Sequence, residues 1–217
     1  ASVCTARHPT QPAHPPRPPP PLAVRNGIVW AWFGPPGLAT RPPRSLPGLS
    51  EPGDAAHGYA PAPPEFAVEN FVDTTHFQGV HGLTAPRIVL ETDGQWPRFA
   101  HTYPRPGSIR GITLRTTTYG PGCFWTVAPA VTTVWSLVPT RDGGTDAYWF
   151  YYSSRNSSAA DVSATFRSQM RTTSTMVHED VDLWRHLGAG RQRSMDVTHE
   201  MLEIRRWWDR LPRAPLA

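Results

Sequence analysis

The stretch ENFVDTTHFQGVHG, residues 69 to 82, places Asp73, His76 and His81 within nine positions. Two imidazoles beside a carboxylate can hold a divalent metal ion, because neutral ring nitrogens are good donors. Asn70, Asp73 and His76 recur at every third residue, so on a helix they drift slowly along one face. His81 follows His76 by five positions, which an ideal α-helix places about 140° away. The two rings converge if the helix widens locally or ends near Gly79. The spacing permits chelation without compelling it, and a third ligand has to come from elsewhere.

TMVHEDVDLWRH, residues 175 to 186, offers three carboxylates. On a helix, Val177, Asp180, Val181 and Trp184 share one face, while Glu179 and Asp182 point away from it. An Asp on an apolar, inward stripe is costly unless it is paired or bound to a cation. That singles out Asp180. Two His and one Asp with open positions form the facial triad that holds ferrous iron and leaves room for O₂. The same set also suits a hydrolytic Zn²⁺. The competing reading is a pair of surface histidines beside a solvated acidic helix.

These residues need elements to position them. Residues 65 to 81 have helical character. RIVLET, SIRGITLRTTTYG, CFWTV, VTTVWSLVP and DAYWFYYSS are rich in Val, Ile, Thr and aromatics, and turn residues separate them. PTRDGGTD reads as a hairpin loop, and such short spacings favour antiparallel pairing. The chain turns helical from about Ala159 to Leu187, and MLEIRRWWDRL predicts a final short helix. The order helix, antiparallel sheet, helix indicates an α+β fold. Ahead of this body, residues 8 to 21 are proline-rich and read as extended. Asn26-Gly27 is a tight-turn signal, followed by a short strand from Ile28 to Phe33. Residues 34 to 64, dominated by Pro and Gly, read as a connector with no core element.

The chain has 217 residues, 39% of them hydrophobic, with nine Trp, which suits one domain with a sizeable core. The net charge is +4 with no Lys anywhere, too small and scattered to argue for nucleic acid. The two cysteines, Cys4 and Cys123, give neither a CxxC site nor a disulfide framework, so a reducing cytoplasm is expected. No apolar run is long enough for a membrane span, and no signal-peptide h-region is present at the start.

Three stretches together resemble one family. ENFVDTTHFQGVH resembles the NxxDxxHxxxxH iron motif of Rieske non-haem iron oxygenase α subunits. EDVDLW resembles the segment that supplies their carboxylate ligand, and VRNGIVWAWFG the strand that closes their Rieske domain. HEDVDLWRH and EIRRWW look most like 3-ketosteroid 9α-hydroxylase oxygenase components and related monooxygenases. The resemblance implies a helix-grip (START/Bet v 1-like) catalytic domain over residues 51–217, an antiparallel sheet packed against long helices. Residues 1–50 would be the Pro-rich tail and last strand of a truncated Rieske domain.

By the same resemblance, His76, His81 and Asp180 would bind mononuclear Fe(II), with Glu179 the rival to Asp180. Asp73 would be the acidic bridge that passes an electron from a neighbouring subunit's cluster, and Asn70 would sit near the iron. The implied reaction is hydroxylation or demethylation of an apolar ring compound, steroid-like or aromatic, with O₂. Electrons would come from NAD(P)H through a reductase or ferredoxin, and the assembly would be a homotrimer. The chain departs from the family in one respect. A [2Fe-2S] Rieske cluster needs paired CxH and CxxH motifs, and neither Cys4 nor Cys123 lies in one. A metal-free or inactive ligand-binding remnant is therefore the alternative.

The remaining conspicuous residues read as structural. Trp30, Trp32, Trp125, Trp135 and Trp149 lie in strand-like runs and are expected in the core. Cys123 reads as a small buried residue. Arg205, Arg206, Trp207 and Trp208 read as a helix with solvated Arg and packed Trp. His178, His186 and His199 read as ordinary polar residues.

Overall fold

The computed structural model describes residues 22–31, 53–91, 97–105, 108–118, 122–128, 131–153, 159–187 and 198–211. A hairpin comes first, β1 (Leu22–Arg25) and β2 (Ile28–Ala31). Its turn holds Asn26 at φ 53° and Gly27 at φ 71°, the paired left-handed residues a two-residue hairpin needs. Residues 8 to 21 and 34 to 50, Trp32 and Cys4 lie outside the described residues.

Seven strands then build one antiparallel sheet in the order β3-β9-β8-β7-β6-β5-β4. They are β3 (Asp54–Ala60), β4 (Arg87–Glu91), β5 (Arg98–Arg105), β6 (Ser108–Thr118), β7 (Cys123–Val127), β8 (Val131–Pro139) and β9 (Thr145–Ser153). β4 and β6 to β9 are strands expected from their composition. β8 and β9 pair through a loop at Thr140–Gly144 in which Gly143 takes φ 85°, the hairpin expected from PTRDGGTD.

Two strands depart from the sequence reading. β3 falls inside the stretch read as a connector. Its sequence, DAAHGYA, is Ala- and Gly-rich and carries little strand propensity of its own. It is an edge strand held by a seven-residue register with aromatic-rich β9. Gly58 is required there, since a Cβ would stand 3.2 Å from the Trp149 indole. β5 went unassigned because RFAHTYPR carries a histidine and a proline. Pro104 sits where the β5–β6 register shifts, at a position that needs no ladder donor.

The helices are α1 (Pro64–Asn70), α2 (Thr74–Gly79), α3 (Ala159–Leu187) and α4 (His199–Asp209). α3, with 29 residues, is the one long helix among those described. The sequence reading had residues 65 to 81 helical, whereas the helix breaks at 71–73. Asp73 restarts it, its side chain accepting hydrogen bonds from the backbone N–H groups of Thr75 and His76. None of the described helices is long and apolar enough to cross a membrane.

Strand alternation sorts the sheet into two faces. The inner face presents Phe99, Phe124 and Leu137 to α1 and α4, which add Val68, Val72, Met201, Ile204 and Trp207. α3 covers the rest of it, packing Val177 over Val131, Trp149 and Tyr151, and Val181 and Trp184 over Ala60 and Ala62. The β1–β2 hairpin closes part of the outer face, where Ile28 meets Val134 and Tyr152. Tyr152 hydroxyl also donates to the Asn26 carbonyl at 2.7 Å.

α1 and α4 are joined by a bidentate pair, with Arg205 Nε and Nη2 donating to the two Glu69 carboxylate oxygens at 2.9 and 2.7 Å. Arg205 is thus a clamp, where the sequence reading made it solvated. Trp207 is buried as expected, and Arg206 pairs with Glu203 on the surface.

Candidate metal centre

The sequence brings two helices to one point. α2 begins at the Asp73 cap and presents His76 in its first turn, inward against the sheet. The helix ends at Gly79, and the chain turns through Val80 and His81 to Gly82 at φ 61°. The Leu83 N–H returns to the Phe77 carbonyl at 3.0 Å and closes this turn. The early end of α2 cancels the angular offset between the histidines. Their ring centroids lie 4.5 Å apart with the planes at 89°.

α3 supplies the carboxylate. Val181 and Trp184 anchor its inward stripe, so Asp180 is driven in beside them. Asp180 Oδ1 lies 2.9 Å from His76 Nε2 and 3.2 Å from His81 Nε2. One donor atom from each of the three residues falls within a span of 4.8 Å. Among the described residues, this group of His, Asp, Glu or Cys side chains is arranged to share a metal ion.

Neither nitrogen is aligned for a hydrogen bond to Asp180 Oδ1, which is a buried carboxylate oxygen with no hydrogen-bond partner. That is expensive for a protein acceptor and natural for a metal ligand. Two donors about 2.1 Å from one ion and at right angles to it stand about 3 Å apart. The observed spacings match that separation, so the residues present fit a divalent ion held on one face.

The electrostatics agree. Burial pushes the Asp180 carboxyl up, but the two imidazoles outweigh it and hold the group below the ordinary carboxylate range. Burial pulls His81 down, and attraction to Asp180 and Glu179 outweighs it, leaving the ring above its ordinary value. Glu179 does not point away, as the helical wheel suggested. Its Oε2 stands 2.7 Å from His81 Nδ1, on the side of the ring away from Asp180. His178 and His186 bond back to helix carbonyls and take no part.

Asn70, His76, His81 and Asp180 all line a cavity of about 260 Å³. The rest of its wall is mostly apolar, with Phe77, Phe124, Trp135, Leu137, Met176 and Val177. Asn70 Nδ2 is buried without a hydrogen-bond partner. Asp73 is partly exposed and occupied in capping α2.

His101 escaped the sequence reading. It is 2% exposed, lines the cavity, and its Nε2 bonds the Phe71 carbonyl across the break between α1 and α2. Burial pulls its ring down, only partly offset by that carbonyl. The signal was the alternation of Phe99, His101 and Tyr103, which places all three on one face of a strand. Cys123 behaves as expected of a buried residue, its thiol pushed up to about 12 by burial.

No family model matches this chain, and no curated protein does. Solved structures do match in shape. NdmB of Pseudomonas putida CBB5 superposes with a TM-score of 0.61 at 15% identity, over 87% of this chain and 59% of that one. The terminal oxygenase of carbazole 1,9a-dioxygenase from Novosphingobium sp. KA1 gives 0.54 at 16% identity, over 88% and 66%. The quaternary ammonium Rieske monooxygenase CntA in complex with an inhibitor gives 0.55 at 15% identity, over 78% and 51%. The fold is shared with Rieske oxygenase subunits. At these identities the likeness is one of fold, and the chain spans between half and two thirds of each of these proteins.

Proposed function

We propose that residues 51–217 form the mononuclear non-haem iron domain of a Rieske-type oxygenase, of helix-grip type, with residues 1–50 the remnant of its Rieske domain. The observation that carries this reading is the convergence of His76, His81 and Asp180 around one point in the wall of an apolar cavity. The fold likeness to Rieske oxygenase subunits selects iron over zinc for a donor set that suits both.

Iron bound there would supply activation of O₂ for monooxygenation of an apolar ring compound. The chain's own residues do the rest. His76, His81 and Asp180 hold the ion from one side and leave the cavity side open. Phe77, Phe124, Trp135 and Leu137 exclude water and orient an apolar substrate. A cavity of about 150 Å³ takes benzene. The 260 Å³ here favours a compact aromatic of one or two rings over the four rings of a steroid.

Electrons have to enter from another chain, because two cysteines outside CxH and CxxH motifs cannot hold a Rieske cluster. A reductase or ferredoxin fed by NAD(P)H would supply them, with Asp73 as the bridge between subunits of a homotrimer. The second reading is a metal-free or inactive ligand-binding domain, favoured by the apolar cavity alone.

The test is turnover. The chain is loaded anaerobically with Fe(II) and mixed with a Rieske ferredoxin, its reductase, NADH and naphthalene, then exposed to ¹⁸O₂. Naphthalene oxygenated with ¹⁸O supports the oxygenase. An iron-loaded chain that binds naphthalene and never oxygenates it overturns this reading in favour of the second.

A further inference from the structure

Asp180 and Glu179 are consecutive on α3, yet both reach the same imidazole. Asp180 Oδ1 stands 3.2 Å from His81 Nε2, and Glu179 Oε2 stands 2.7 Å from His81 Nδ1. His81 differs from His76 in how it is held. His76 projects from the first turn of a capped helix, so its backbone is fixed. His81 follows the end of α2 and precedes a left-handed glycine, so no helix sets its ring. Its side chain is nevertheless 2% exposed. Something other than the backbone must orient it.

We propose that Glu179 is the positioning residue for His81. It accepts the Nδ1–H, which fixes the tautomer and turns the bare Nε2 lone pair toward Asp180 and the metal point. The inference rests on the metal-centre reading and adds a residue to it. The chemistry is general, since a ligating imidazole whose second nitrogen donates to a carboxylate is held in one orientation and made more basic. Glu179 cannot itself be a ligand through that contact, because it approaches the nitrogen opposite to the one facing Asp180. With its side chain 41% exposed, Glu179 is also dispensable for the core, so its variants should fold.

The experiment compares the full chain with Glu179→Gln and Glu179→Ala by two readouts. The first is Co(II) affinity under anaerobic titration. Glu179→Ala is expected to weaken it 10- to 100-fold, and Glu179→Gln, which still accepts from Nδ1, by much less. The second is ¹⁵N NMR of the His81 ring in the metal-free chain at pH 9. Wild type and Glu179→Gln should show one Nδ1–H tautomer, and Glu179→Ala a mixture. Wild-type affinity in Glu179→Ala, or an unchanged tautomer, overturns the positioning role and leaves the metal centre standing. Equal damage from Gln and Ala with an unchanged tautomer also overturns it, and points to a direct ligand. A wild-type chain that binds no Co(II) while its tautomer depends on Glu179 overturns the metal centre instead.

Discussion

The Asp73 carboxylate accepts the backbone N–H of His76 at 3.2 Å, so the residue that restarts the helix also fixes the base of a candidate ligand. The same Oδ1 takes the Thr75 N–H at 3.0 Å. A side chain that could carry an electron is therefore also a cap, and the two roles can be separated.

Asp73→Asn keeps an acceptor oxygen and should change thermal stability little. Asp73→Ala removes the cap and should cost about 1 kcal/mol in denaturant unfolding. If Asp73 is the inter-subunit bridge, Asp73→Asn retains iron but loses reductase-driven turnover by at least tenfold. Equal turnover in Asp73→Asn and wild type would leave Asp73 with the cap alone.

His101 makes stability sensitive to acid. Its folded pKa is lowered, so the unfolded chain takes up a proton more readily than the folded one. The stability it contributes is complete above its ordinary value of about 6.5 and is lost as pH falls from there toward the folded value. Urea midpoints should drop between pH 7 and pH 5 by more in wild type than in His101→Gln. Parallel pH profiles for the two would show that His101 does not govern acid sensitivity.

Cys123 should be inert in the folded chain. With its thiol pushed up to about 12, almost none is thiolate at pH 8. Peptide mapping after iodoacetamide treatment should find Cys123 unmodified in native protein and fully modified in 6 M guanidinium, on the order of a hundredfold difference in rate. Rapid native labelling would contradict its burial.

The Glu69–Arg205 clamp should matter to the site at a distance, because Glu69 and Asn70 are neighbours on α1. Breaking a partly buried bidentate pair by Arg205→Ala should cost about 1–3 kcal/mol, while Arg205→Lys, which cannot match the fork, should recover only part. Chemical unfolding of the three proteins measures this directly.

Much of the site was legible because its constraints are local. The third-residue spacing to His76 and the costly place of Asp180 on an apolar stripe both follow from helical geometry, and the structure brings those side chains to one point. What was not legible depends on partners far away in the chain. β3 has almost no strand propensity and exists because β9 pairs with it. The break at 71–73 follows from Asp73 competing for the backbone, which a continuous helical pattern hides. Glu179 was sent outward by the helical wheel, yet a long side chain on the flank of a helix can reach back around it to His81.

The central claim is that His76, His81 and Asp180 bind one ferrous ion together. Anaerobic reconstitution with Fe(II), removal of free metal and iron counting per chain test it most directly. The account predicts about one iron per chain in wild type, and little or none in His76→Ala, His81→Ala or Asp180→Ala proteins that remain folded by circular dichroism. A wild-type chain that holds no iron, or three variants that hold as much as wild type, would contradict it.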